Sequence, residues 1–137
     1  MQRTITLTAL VISLGLVCGP LSAQELARLP TQIDANGTAY ISGGIGDMEF
    51  RQISQAGQDF NLKLILSEAS GAYVANVVVA IFNRQGKQVL DVPAGGPIVL
   101  TRLAPGAYRV RATYEGREMQ KNVNIRAGAP QTISIAW

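Results

Sequence analysis

The chain has 137 residues, 12 Lys+Arg against 9 Asp+Glu, a single cysteine and no histidine. Ser–His and Cys–His nucleophile pairs and histidine-ligated zinc are therefore excluded. A net charge of +3 is too small to suggest a nucleic-acid partner.

Residues 1–23 read as a secretory signal peptide. Arg3 supplies a positive start, Ile5 to Val17 is an uncharged apolar run, and Leu21-Ser22-Ala23 ends on a small residue. The run of about 13 residues is short of the roughly 20 that span a bilayer. Export with cleavage after Ala23 is expected, giving a chain that starts at Gln24; retention as an N-terminal anchor is the alternative. Cys18 follows Val17 rather than a small residue, so it reads as one more apolar position of the signal and not as a lipid-carrying cysteine. Residues 24–137 then hold no cysteine, form no disulfide and depend on their core alone. No membrane span is expected in them. The charge is uneven: residues 24–83 carry −3 and residues 84–137 carry +5.

Residues 24–57 read as a lead-in, a short strand and a short helix. Gln24 to Asn36 is a loose approach ending in the Asn36-Gly37 turn signal. Thr38 to Ser42 is a strand, Gly43-Gly44-Ile45-Gly46 breaks it, and Asp47 caps a helix whose inner face carries Phe50, Ile53 and Gly57. The glycine run could offer backbone N–H groups to an anion. It lacks the spacing of a dinucleotide loop and the Lys-Ser/Thr of a P-loop, so it reads as a joint. Asp47 and Glu49 suit the positive end of a helix without any catalytic role.

Residues 58–137 read as strands throughout, forming one domain with 24–57. Phe60, Leu62, Leu64 and Leu66 alternate with polar positions and face the core, with Lys63 outside. Val74 to Phe82 is apolar on both faces and is expected to be a central strand covered on both sides. Arg84-Gln85-Gly86-Lys87 turns the chain, Gln88 to Val92 returns, and residues 93–97 turn it again before the strand from Ile98 to Arg102. Tyr108, Val110, Ala112 and Tyr114 then face inward. The next strand places Met119, Val123 and Ile125 on the same side, with Lys121 the misfit, and Ile133, Ile135 and Trp137 share one face of the last strand. Short strands between Gly/Pro turns predict an all-β fold, an antiparallel β-sandwich of transthyretin-like or Ig-like type with one short N-terminal helix. A transmembrane barrel would need longer strands and two aromatic girdles.

One constellation stands out for binding. Arg109 and Arg111 share the polar face of their strand. A hairpin return that matches the apolar faces sets Gln120, Asn122 and Asn124 beside them, with Arg102 nearby. Guanidinium and amide groups together meet a carboxylate, a phosphate or sugar hydroxyls; a solvated sheet face is the plain alternative. The serines and Lys63 form no nucleophile motif, and Asp59-Phe60-Asn61 is too sparse for calcium. No cofactor, metal or catalytic residue is expected.

The segment from Ala75 to about Val123 resembles the carboxypeptidase regulatory-like domain, a transthyretin-like sandwich. The resemblance rests on Val77, Val78 and Val79, on Gly86, and on Leu103-Ala104-Pro105-Gly106-Ala107-Tyr108-Arg109-Val110. The whole chain also resembles small exported proteins of Gram-negative bacteria that carry such a domain behind a signal. That implies a periplasmic accessory module without catalysis. The hydrolase of 5-hydroxyisourate shares the fold, but its histidines and Tyr-Arg-Gly-Ser end are absent here. The sequence thus leads to a non-enzymatic cell-envelope module with a structural or protein-interaction role, its partner an envelope protein or glycan. An envelope glycan- or anion-binding module using Arg109, Arg111, Asn122 and Asn124 is the alternative.

Overall fold

The computed structural model describes residues 30–56 and 59–137, together with Gly15. The signal segment, its expected cleavage site and Gly57 lie outside the described residues. The elements run β1 (Gln32–Ile33), β2 (Ala39–Gly43), α1 (Asp47–Ala56), β3 (Leu62–Ser67), β4 (Val77–Phe82), β5 (Gln88–Gly95), β6 (Ile98–Thr101), β7 (Gly106–Tyr114), β8 (Arg117–Ile125) and β9 (Gln131–Ala136). They form a five-stranded sheet of order β1-β2-β6-β3-β9 and a four-stranded sheet of order β5-β4-β7-β8. The fold is all-β with one short helix.

Alternation determines what each strand buries. In β3, Leu62, Leu64 and Leu66 are buried while Lys63, Ile65 and Ser67 are half-buried. These leucines join Val99 of β6 and Ile135 of β9 in one apolar cluster. The other sheet contributes Val77, Val79 and Ile81 of β4, Leu90 and Val92 of β5, Val110 and Ala112 of β7, and Val123 and Ile125 of β8. The inner faces of both sheets thus meet in a single core. A second cluster lies on the opposite side of the five-stranded sheet, where Ile41, Ile98, Leu100 and Phe60 pack against Ile53 of α1. The helix is a third layer on that sheet alone.

Four expectations change. The strand covered on both sides is β6, whose four residues are all buried, and not β4, where Val78 is 44% exposed. Valine-rich composition marks a strand but does not supply a covering layer; only the five-stranded sheet has α1 over it. The return strand does not stop at Val92 but continues through Pro93 to Gly95, opposite Val77 across a bulge. The chain changes sheets at Gly96-Pro97, where a side chain on Gly96 would lie 2.8 Å from the Gly43 carbonyl oxygen. The lead-in contains β1, which pairs with β2. Finally, the pairing is not wholly antiparallel, because β9 runs parallel to β3 from Leu62↔Gln131 to Ser67↔Ala136. The long connection from β4 to β8, which includes β6 of the same sheet, brings the chain back in the same direction, as parallel pairing requires.

Among the described residues, no helix is long and apolar enough to cross a membrane.

Candidate functional site

Among the described residues, no helix lies over the outer face of the four-stranded sheet. Its central residues come from β7, where Val110 and Ala112 turn inward and the alternation sends Arg109 and Arg111 outward. The β7–β8 hairpin pairs Arg109 with Asn122, Arg111 with Gln120 and Ala107 with Asn124. Matching the two apolar faces fixes this register, because a slip of one residue would turn the polar side chains into the core. The misfit Lys121 lies opposite Val110 but remains exposed, since β8 is the edge of its sheet. A charge on an edge strand also discourages pairing with another chain.

The other flank of β7 is β4, and there the sequence reading missed a residue. Phe82 pairs with Arg109, and Ala80 pairs with Arg111. The Phe82 ring lies 5.5 Å from the Arg109 Cζ and 4.8 Å from the Arg111 Cζ. Both distances are within the reach of cation–π attraction. The ring holds two guanidiniums side by side despite their repulsion. The signal for it was present in the period of Val78, Ala80 and Phe82, but the partner of that face depended on a non-local register.

Phe82 leads directly into the β4–β5 turn. Asn83 Oδ1 accepts the backbone N–H groups of Gln85 at 3.0 Å and Lys87 at 2.9 Å. Gly86 takes φ +79°, a conformation that suits glycine. The turn carries Arg84 to the β7–β8 hairpin. Asn83, Arg84, Gly86, Ala107, Tyr108, Arg109, Asn122, Val123 and Asn124 line an open depression of about 530 Å³. Three of the four anticipated binding residues line it, together with the unanticipated Arg84. Arg111 stands outside.

The register explains that division. Across the sheet, Arg109 lies in the row Gln88–Phe82–Arg109–Asn122, which holds no carboxylate. Arg111 lies in the row Asp91–Ala80–Arg111–Gln120, and the next row ends on Glu118. Arg111 is half-buried and Arg109 exposed. Arg102 does not join them. It follows β6 in the other sheet and donates to the carbonyl of Asp59.

The glycine run before α1 holds a carboxylate of its own chain. Glu49 Oε2 accepts the N–H groups of Gly44 at 3.1 Å and Ile45 at 2.8 Å. The first turn of α1 thereby closes the loop, and those two donors are not free for an external anion. The aromatic residues that could have formed a sugar platform are elsewhere. Tyr40 is buried, while Tyr73 packs on Phe50 of α1 with centroids 5.9 Å apart. Among the described residues, no three His, Cys, Asp or Glu side chains gather as a metal-ligand set.

Comparison with protein-family models, with curated proteins and with solved structures found no match.

Proposed function

We propose that this chain is an exported, non-enzymatic interaction module of the bacterial cell envelope, and that the outer face of β4, β7 and β8 is its recognition surface. The observation that carries the reading is the pair of guanidiniums held on Phe82, on a sheet face that no other described element covers. Cations fixed by an aromatic ring lose less rotamer freedom on meeting a partner than free surface arginines do. Binding by charge is favoured over binding by sugar stacking, because the Phe82 ring already carries two arginines and Tyr108, the ring that lines the depression beside Arg109, is half-buried.

The corner before β7 supports the resemblance to carboxypeptidase regulatory-like domains. Leu103 is buried, Gly106 takes φ +152°, and the Tyr108 hydroxyl donates to the Ala104 carbonyl at 2.6 Å. Export is supported by the arrangement of Arg3, the Ile5–Val17 run and Ala23.

The test is capture of envelope material by crosslinking, comparing the native protein with the Arg109→Ala/Arg111→Ala variant. The variant should retain less, and the difference should shrink at high salt as exposed charge contacts are screened. Equal retention by a folded variant would remove the recognition surface from this reading. The intact mass of protein from a periplasmic extract should correspond to a chain starting at Gln24; protein confined to the cytoplasm would remove the export reading.

A further inference from the structure

We infer that the depression between the β4–β5 turn and the β7–β8 hairpin is a subsite for one oxyanion, a carboxylate or phosphate group, held between Arg84 and Arg109 and oriented by Asn122 and Asn124. The inference rests on the recognition face proposed above and narrows it to one end. Arg84 and Arg109 come from different strand pairs yet line the same depression.

The electrostatics favour this end over the other. The turn contains Arg84 and Lys87 and no acidic residue from Asn83 to Leu90. The Arg109 row holds no carboxylate, whereas the Arg111 row ends on Asp91. Two guanidiniums facing one depression repel each other, and an anion between them relieves that repulsion while offering two acceptor oxygens. The pieces are also held in place before any ligand arrives. Asn83 fixes the turn through two backbone N–H groups, and Phe82 restrains Arg109. Such restraint reduces the ordering cost of binding.

The amides complete the chemistry. Asn122 and Asn124 are exposed and two residues apart on β8. They are set about 6.6–6.8 Å apart along the strand. Each offers a donor and an acceptor, which suits hydroxyl groups on whatever carries the anion.

The test follows the arginine Nε–H and asparagine side-chain NH₂ signals of the purified protein by NMR. Inorganic phosphate, glucuronate and, as the neutral control, glucose are titrated in turn. Saturable shifts at Arg84, Arg109, Asn122 and Asn124 are expected with phosphate, glucuronate or both, and none with glucose. Saturation by phosphate alone identifies a phosphate group as the natural anion, and saturation by glucuronate alone identifies a carboxylate. Arg84→Ala should weaken binding about tenfold or more, as loss of one charge-assisted hydrogen bond predicts. Arg84→Lys should recover part of it, and Arg51→Ala on α1 should leave it unchanged. Absence of saturable shifts, or equal weakening by Arg51→Ala, overturns the subsite. If the subsite fails while Arg109→Ala/Arg111→Ala still loses envelope material, the recognition face stands without it. If both fail, the face is solvated surface.

Discussion

The two sheets share one core and differ in what lies outside them. The five-stranded sheet carries α1 on its outer face, so Ile41, Ile98 and Leu100 pack apolar side chains on that side against Ile53. The corresponding face of the four-stranded sheet bears Arg109, Arg111, Gln120 and Asn122. A covered face is constrained by packing, because any cavity or unpaired polar group there costs stability. An uncovered face has no such constraint, and its side chains are free to serve recognition. The contrast therefore locates stability on one side of the molecule and the candidate site on the other.

The largest losses are expected where the five-stranded sheet packs, at Leu64 in the core between the sheets and at Ile53 of α1 on its outer face. Leu64 and Ile53 are fully buried. Leu64→Ala and Ile53→Ala should each cost about 2–5 kcal/mol in urea melts. Lys63→Ala, one residue from Leu64 and facing the opposite way, should stay within roughly 0.5 kcal/mol of the native protein. Equal losses for Leu64→Ala and Lys63→Ala would show that the alternation in β3 does not decide burial.

A smaller loss is expected at Asn61. Its side chain donates to the Leu103 carbonyl at 2.7 Å and accepts the Leu103 N–H at 2.9 Å, linking the start of β3 to the corner before β7. Asn61→Ala should cost about 1–3 kcal/mol, since it leaves both backbone groups of Leu103 without this partner. A neutral result would show that water replaces the amide there.

Asp34 ties the two sheets together at their edge and makes that tie depend on pH. Burial pushes its carboxyl up, but this is outweighed by hydrogen bonds from Asn36, Thr38 and Asp91, so the net shift is downward. A folded-state value below the unfolded one gives stability that is full above the ordinary aspartate range and lost as pH falls through the lowered value. Asp34→Ala should cost about 1 kcal/mol at neutral pH. The variant and the native protein should converge in acid. A constant difference at every pH would assign the effect to packing instead.

The least effect on stability is expected where the greatest effect on binding is proposed. Arg109→Ala/Arg111→Ala should leave the urea midpoint within roughly 0.5 kcal/mol of native. Unfolding of this variant would make the two arginines supports of the sheet, and the division between a stabilising side and a recognition side would fall.

Most of the local architecture was legible in the sequence. Alternating Leu62, Leu64 and Leu66 fixed the buried face of β3, and Asp47 marked the start of α1. The facing of Arg109 and Asn122 followed from a hairpin whose strands are close in sequence, because matched apolar faces allow only one register. Valines alone do not reveal whether a covering layer exists, so by composition β4 reads as the doubly covered strand while β6 holds that place.

The sequence by itself determined the alternation, the turns and the side of each strand that is polar, since these depend on steric preferences and periodicities reaching only a few residues. Only the tertiary structure decided that β9 runs parallel to β3, that Glu49 fills the glycine loop, that Phe82 holds two arginines and that Arg84 and Asn122 line one depression. Each of these except the Glu49 contact depends on pairing between strands distant in the chain. The Glu49 contact depends on how α1 docks on its sheet. Such placements follow from the burial of whole faces against one another, which no local pattern encodes.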